Sequence, residues 1–302
     1  MSNSNKIKIY KRYKAENRAT LYLGDTRKFL KTVKAEEFNL ILTSPPYNIG
    51  KEYEKPTTLD EYYESQKEVI NLCIDRLAET GSICWQVGNY VDKTGAKTEV
   101  VPLDILLYPI FKERGLQLRN RIIWHFGHGL HSRNRYSGRH ETILWFTKTD
   151  KYTFNLDPVR VEQKYPGKKA FKGPNRGKPS GHPEGKNPSD VWDIPNVKAN
   201  HIEKTIHECQ FPISLVDRLV KSLTHEDDLV FDPFLGVGST TAAAIRYNRR
   251  VAGAELMDKY YNIAKQRTIE AYNGTLPIRD DKPPYTPPKN TTLTTNPFTV
   301  KK

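Results

Sequence analysis

Short apolar runs recur along the chain, separated by longer stretches in which apolar residues return at helical spacing. Phe38–Leu42, Ser82–Val87, Arg121–Trp124, Thr142–Phe146, Asp228–Phe231 and Arg250–Ala254 are the runs. Apolar character sustained over four to six residues predicts strands covered on both faces, as in a mostly parallel sheet. Between them, Leu59–Ala78 carries Tyr62, Val69, Ile70, Cys73 and Leu77 near one helical face. Pro102–Arg114 opens on a proline, which suits a first helical turn. Pro212–Leu223, Ser239–Asn248 and Asp258–Tyr272 are read as helices too. Strands alternating with helices predict an α/β, doubly wound sheet.

One stretch breaks this rhythm. Residues 151–200 are rich in Gly, Pro and Lys, with ten Lys or Arg against five Asp or Glu. A segment this long without regular pattern is expected to be functional or unstructured. From Thr275 onward the chain is rich in Pro and Thr and is read as an unstructured tail.

Charge sharpens the picture: 48 Lys and Arg against 35 Asp and Glu leave +13, which suggests a polyanionic partner, nucleic acid first. No apolar run approaches the ~18 residues that a membrane span needs. The polar start Met1–Lys6 lacks the apolar core of a secretory signal, so an intracellular, cytoplasmic location is expected. Cys73, Cys84 and Cys209 have no metal-ligand spacing and are read as structural filler.

Two motifs carry chemistry. Thr43-Ser44-Pro45-Pro46-Tyr47-Asn48 follows the Phe38–Leu42 strand, where ligands of such sheets bind. Consecutive prolines cannot extend a ladder and stiffen the turn. An exocyclic amino group on a base is a poor nucleophile, because its lone pair is delocalised into the ring. Acceptors for both amino hydrogens, such as the Ser44 hydroxyl and the Pro45 carbonyl, would favour a tetrahedral nitrogen. Tyr47 offers a platform on which a flipped base could stack.

The second motif, Phe231-Asp232-Pro233-Phe234-Leu235-Gly236-Val237-Gly238-Ser239-Thr240, lies between a strand and a helix. Its glycines let backbone approach a ligand closely. Glu255, at the end of the next strand, is placed for ribose hydroxyls, and Asp232 for an ammonium group. Thr241 breaks the dinucleotide spacing, and no P-loop lysine is present. Flanking acids suit a cationic ligand, and S-adenosylmethionine fits.

In this order the motifs resemble the amino-methyltransferases of DNA, which modify N4 of cytosine or N6 of adenine. The likeness covers about residues 20 to 272 and is similar to the beta arrangement, with the catalytic half first. It implies a Rossmann-like methyltransferase fold with S-adenosylmethionine as cofactor, no metal, and double-stranded DNA as partner. The implied division is 1–150 catalytic, 151–200 target recognition and 201–274 cofactor binding, followed by the 275–302 tail.

By the same likeness, Asp25 in Leu23-Gly24-Asp25 and Phe211 in His207–Pro212 join Asp232, Phe234, Gly236, Gly238, Ser239 and Glu255 as cofactor contacts. Ser44, Pro45, Pro46 and Tyr47 are the catalytic set. The family's first position is commonly Ser in cytosine-N4 enzymes and Asp in adenine-N6 enzymes, so Ser44 favours cytosine, with adenine as the alternative. The resemblance also implies a restriction–modification role, with a nuclease acting separately.

His125, His128 and His131 recur beside Arg133, Arg135 and Arg139, and a loop against DNA phosphates accounts for them better than a metal. Lys168, Lys169, Lys172, Arg176 and Lys178 are the expected DNA contacts of the basic stretch, together with Arg133 and Arg135. Trp85, Trp124 and Trp145 are assigned to the core. Carbon-5 methylation needs a nucleophilic thiolate, and no cysteine here follows a proline as in that family's signature. RNA or protein-glutamine methyltransferases, which often carry Asn-Pro-Pro-Tyr after the glycine motif, fit the order less well. A DNA-binding module without activity would have no use for Ser44, Tyr47, Asp232 and Glu255 together.

Overall fold

The computed structural model describes residues 7–50, 52, 57–92, 98–129, 131–162, 169–178 and 180–279. Along the chain the elements are β1 (Ile9–Tyr10), β2 (Ala19–Leu23), α1 (Thr26–Leu30), β3 (Phe38–Thr43), α2 (Leu59–Ile74), β4 (Leu77–Val87), β5 (Asn89–Asp92), β6 (Glu99–Pro102) and α3 (Leu103–Glu113). They continue as β7 (Gln117–His125), β8 (His140–Thr147), β9 (Val191–Asp193), α4 (Ile213–Leu223), β10 (Leu229–Asp232), α5 (Ser239–Arg246), β11 (Arg250–Glu255) and α6 (Asp258–Tyr272).

Every apolar run singled out in the sequence is a strand of one sheet, ordered β1-β2-β11-β10-β3-β4-β8-β7-β9. Pairing is parallel from β1 through β4, and β8 runs antiparallel to both β4 and β7. Successive side chains of a strand point to opposite faces. Ile41 therefore packs with α1, α2 and α3 on one side, while Leu40 and Leu42 pack with α4 and α5 on the other. Helices on both faces make this a doubly wound α/β architecture.

The winding changes face between β3 and β10, which are neighbours in the sheet. At such a switch point the loops after two adjacent strands diverge and leave a crevice beyond their carboxyl ends. Those two loops carry the two motifs. Beneath them, the Phe38 and Phe231 rings stack 4.4 Å apart, which fixes the spacing of the strands from inside the core.

Local departures from the sequence reading have identifiable causes. The helix expected over Leu59–Ala78 begins on a Thr58/Glu61 capping box but stops at Ile74, because Leu77 already pairs with Phe38. Pro102 sits just outside α3 as its N-cap residue, and α5 ends at Arg246. The basic stretch is not all loop: its end forms β9 beside β7, and Trp192, Ile194 and Val197 are core residues. Of the expected tail, Leu276 and Ile278 pack against the second core cluster, and the Arg279 amide donates to Glu203 at 3.1 Å. Residues 280–302 lie outside the described residues.

Trp85, Trp124 and Trp145 are buried. Cys73 and Cys84 are core residues whose thiols burial holds well above the ordinary range. Among the described residues, no helix is long and apolar enough to cross a membrane.

Candidate active site

An open cleft lies at the switch point, lined from both of the loops that diverge there.

One wall is the proline turn. Ser44, Pro45, Pro46 and Tyr47 all line the cleft. Asn48 takes a left-handed backbone, φ 59°, and its side-chain amide donates to the Thr57 carbonyl at 2.7 Å, which closes the turn. The Ser44 Oγ and Tyr47 hydroxyl are 3.1 Å apart. Tyr47 also donates to Gln86 Oε1 at 2.8 Å and lies 3.3 Å from Glu141 Oε2. Burial, reinforced by the Glu141 charge, pushes the tyrosine hydroxyl well above its usual range, so it stays protonated.

The opposite wall is the glycine turn. Gly236 and Gly238 have φ of 52° and 76°, a region that side-chain-bearing residues rarely adopt. A Cβ on Gly238 would come within 3.0 Å of Ala264 in α6. The Gly236 amide donates to Glu255 Oε2 at 2.8 Å, and the Met257 amide donates to Oε1 at 2.8 Å. Burial of the Glu255 carboxyl outweighs these donors and raises its pKa to about 7.

Two further segments complete the cleft. Asp25 caps α1 by accepting from the Arg27 amide at 2.8 Å, and Arg27 also grips its carboxylate. The Arg27 hydrogen bonds hold Asp25 below the ordinary carboxylate range, so it keeps its charge. Ser239 at the start of α5 donates to the Phe211 carbonyl at 2.9 Å, which draws the 207–211 segment onto the glycine turn. There the His207 ring packs over Gly236 and 4.6 Å from the Tyr260 ring. Burial lowers His207 to about 4, so it is neutral near pH 7.

Of the expected cofactor contacts, Asp25, Phe211, Phe234, Gly236, Ser239 and Glu255 line the cleft. Gly238 stands behind it, against α6. Asp232 is not among the lining residues either: its fully buried carboxylate accepts from the Thr43 hydroxyl at 2.6 Å and the Phe234 amide at 3.1 Å. Asp232 thus ties the root of one motif to the root of the other. Burial lifts its pKa to about 6.

The expected DNA contacts are distributed elsewhere. Arg133 and Arg135 are exposed on the β7–β8 loop, which leaves the sheet at the same edge as the proline turn. Lys169, Lys172, Arg176 and Lys178 are exposed on a local backbone loop closed by Ala170 and Gly177, and none lines the cleft. Lys168 lies outside the described residues. His125 pairs with Asp193 across β7 and β9. Among the described residues, no group of three or more His, Cys, Asp or Glu could hold a metal ion.

Sequence reasoning missed Gln86 and Glu141, which meet Tyr47 from β4 and β8, and the Thr43–Asp232 tie. It also took Cys209 for filler, whereas Cys209 lines the cleft. Nothing in the local pattern of β4 or β8 marks Gln86 or Glu141, since their role comes from partners 39 and 94 residues away.

The family model described as DNA methylase, covering N6 and N4 enzymes, matches residues 38–266. The Bacillus subtilis type II methyltransferase M.BglII is 48% identical over 246 residues, 82% of this chain and 68% of that protein. The Escherichia coli DNA adenine methyltransferase YhdJ is 32% identical over 256 residues, 82% of each chain. In fold, the PvuII cytosine-N4-specific DNA methyltransferase superposes with a TM-score of 0.64 at 20% identity, covering 85% of this chain and 92% of that one. Solved structures of similar fold include complexes with S-adenosyl-L-methionine.

Proposed function

Because the chain belongs to the N6/N4 DNA methylase family and is a DNA methyltransferase, we propose that it methylates the N4 amino group of cytosine at a specific site in duplex DNA, within a restriction–modification system. The observation that carries this reading is the juxtaposition of an acceptor turn and a glycine turn across one cleft, joined at their roots by Thr43 and Asp232.

The cleft fits S-adenosylmethionine on its own chemistry. Glu255 offers a carboxylate beside a glycine backbone for ribose hydroxyls, and Asp25, ionised and paired with Arg27, lines the same cleft. Bound there, S-adenosylmethionine would supply the methyl group. The chain's own residues do the rest. Asp25, Glu255 and the 207–211 segment hold the donor, while neutral His207 packs over Gly236 without adding charge near a sulfonium.

On the other wall, Ser44 Oγ and the Pro45 carbonyl would accept the two amino hydrogens and draw the nitrogen towards tetrahedral geometry. Tyr47 would stack on the base, which must leave the helix to reach the cleft. Arg133 and Arg135, at the same sheet edge, would meet phosphates.

Ser44 supports cytosine, a neutral hydroxyl standing where many adenine enzymes carry a carboxylate. The adenine-specific relative YhdJ keeps N6 methylation as the second reading. Incubating the protein with S-adenosylmethionine and mixed-sequence DNA, then identifying the modified nucleoside by mass, tests this. N4-methylcytosine is expected. N6-methyladenine would replace the base while keeping the mechanism, and unmodified DNA would refute the reading. Ser44→Ala and Tyr47→Ala should each lower transfer by about a hundredfold or more, in line with loss of one positioned transition-state contact, while cofactor binding persists.

A further inference from the structure

Tyr47 is the junction of a hydrogen-bonded chain that runs away from the cleft. Ser44 Oγ stands 3.1 Å from its hydroxyl, and Glu141 Oε2 stands 3.3 Å beyond on the far side. Gln86 clamps the junction from the side: its Oε1 accepts from Tyr47 at 2.8 Å and its Nε2 donates to Glu141 Oε2. The three elements meet because the carboxyl ends of β3 and β4 and the amino end of β8 coincide at one sheet edge, with Thr43 opposite Trp85 and Val87 opposite Thr142. Gly88 keeps the junction tight, since a Cβ there would stand 3.3 Å from both Glu141 Oε1 and the Tyr47 ring.

Methylation of an amino group creates a proton that must leave. The nitrogen begins with two hydrogens and, once methylated, can keep only one in the neutral product. A carboxylate joined to the Ser44 hydroxyl through one tyrosine is a built outlet for the other.

We propose that Glu141 is the terminal proton acceptor of methyl transfer, reached from the base through Ser44 and Tyr47. The proposal rests on the amino-methylation reading above. The step balances as follows. The nitrogen lone pair forms the bond to the methyl carbon as the carbon–sulfur bond breaks, with its electron pair staying on sulfur. The cationic nitrogen gives one proton to Ser44 Oγ while the serine proton passes to the Tyr47 oxygen; the tyrosine hydroxyl, turned from Gln86 Oε1 to Glu141 Oε2, gives its own proton to that carboxylate. Ser44 and Tyr47 end unchanged, the base is neutral and carries the methyl group, and Glu141 holds the proton until solvent takes it. The residue as a whole is part-buried, at the sheet edge from which the β7–β8 loop leaves.

The environment supports this role. Burial raises the Glu141 pKa above the ordinary carboxylate value against the hydrogen bonds of Gln86 and Tyr47, which makes it a better base once ionised. Among the described residues the titratable side chain hydrogen-bonded to it is Tyr47, and Cys209 acts in turn on Tyr47. The tyrosine hydroxyl resists ionisation, so it passes a proton and stores none.

Two measurements test the relay with the full-length protein. The first is the pH dependence of single-turnover methyl transfer to plasmid DNA at saturating S-adenosylmethionine. The wild-type rate should fall as pH drops through the raised Glu141 pKa. Glu141→Gln should slow transfer about a hundredfold, the scale of a positioned general base, and remove that limb while binding cofactor normally. Glu141→Asp should restore part of the rate together with the limb. The second is the infrared titration of the protein without cofactor, in which a buried carboxyl band should disappear in Glu141→Gln.

A Glu141→Gln enzyme with wild-type rate would overturn the proposal. So would a slowed enzyme that keeps the acid limb, which would make Glu141 a support for Tyr47 alone. A wild-type protein that transfers no methyl group to DNA would refute the underlying function instead, and the two failures are therefore distinguishable.

Discussion

The cleft and the basic loop at 169–178 are built on opposite plans. Around the cleft, groups distant in sequence are fixed by buried and part-buried hydrogen bonds: Thr43 to Asp232, Gly236 to Glu255, Ser239 to Phe211. In the basic loop the backbone closes on itself, with the Gly177 amide donating to Ala170 at 2.9 Å and the Ala170 amide to Lys178 at 2.9 Å, while the cationic side chains stand in solvent. The first plan suits chemistry, where a reacting atom tolerates little displacement. The second suits contact with a polyanion, where charge matters more than exact placement. It also lets residues of the loop change without disturbing the core.

Damage to the two regions should therefore differ in size and in kind. The larger effect is expected at Glu255. Glu255→Ala should weaken S-adenosylmethionine binding by ~10- to 100-fold, since hydrogen bonds to a charged acceptor contribute ~1.5–3 kcal/mol. Calorimetry would read it, and unchanged affinity would remove the ribose role. The sign of the pH effect follows from the raised pKa of about 7. Hydroxyl donors favour the ionised carboxylate, so binding near pH 7 should release a proton, and affinity should fall as pH drops below 7. Glu255→Gln should abolish the release.

In the unliganded protein the same group works the other way. Its stability contribution is present at low pH and is lost as pH rises from the ordinary carboxylate range through about 7.

The smaller effect belongs to the basic loop. Each of Lys172→Ala, Arg176→Ala and Lys178→Ala should weaken DNA binding only a few-fold. Each should lower the slope of log affinity against log salt by ~0.9 for one lost phosphate contact. Cofactor affinity should not move. A change in methylated sequence instead of salt slope would show that the side chain reads bases.

The same contrast explains what the sequence revealed. The strands β3, β10 and β11 and the turns after them were legible because an apolar run followed by Pro-Pro or by Gly-x-Gly constrains the backbone locally. β2 was not: Ala19–Leu23 is a short run, recognised only through its pairing with β11. The end of α2 was set by the pairing of Leu77 with Phe38 and not by its own helical pattern. Asp232 was read as a ligand group because acids beside glycine turns often are; its hydrogen bond to Thr43, made from the carboxyl end of β10, was not legible. Glu141 sits between His140 and Thr142 in a strand whose pattern says nothing of Tyr47. Contacts made across the sheet leave no trace in local spacing.

The central claim is that the two turns present donor and acceptor to one another across a single cleft. A crystal structure of the protein with S-adenosylmethionine tests it most directly. The account predicts ribose hydroxyls on Glu255 and a methyl group directed at the space beside Ser44 and Tyr47. A donor seated elsewhere, or one whose methyl group points away from Ser44, would contradict it.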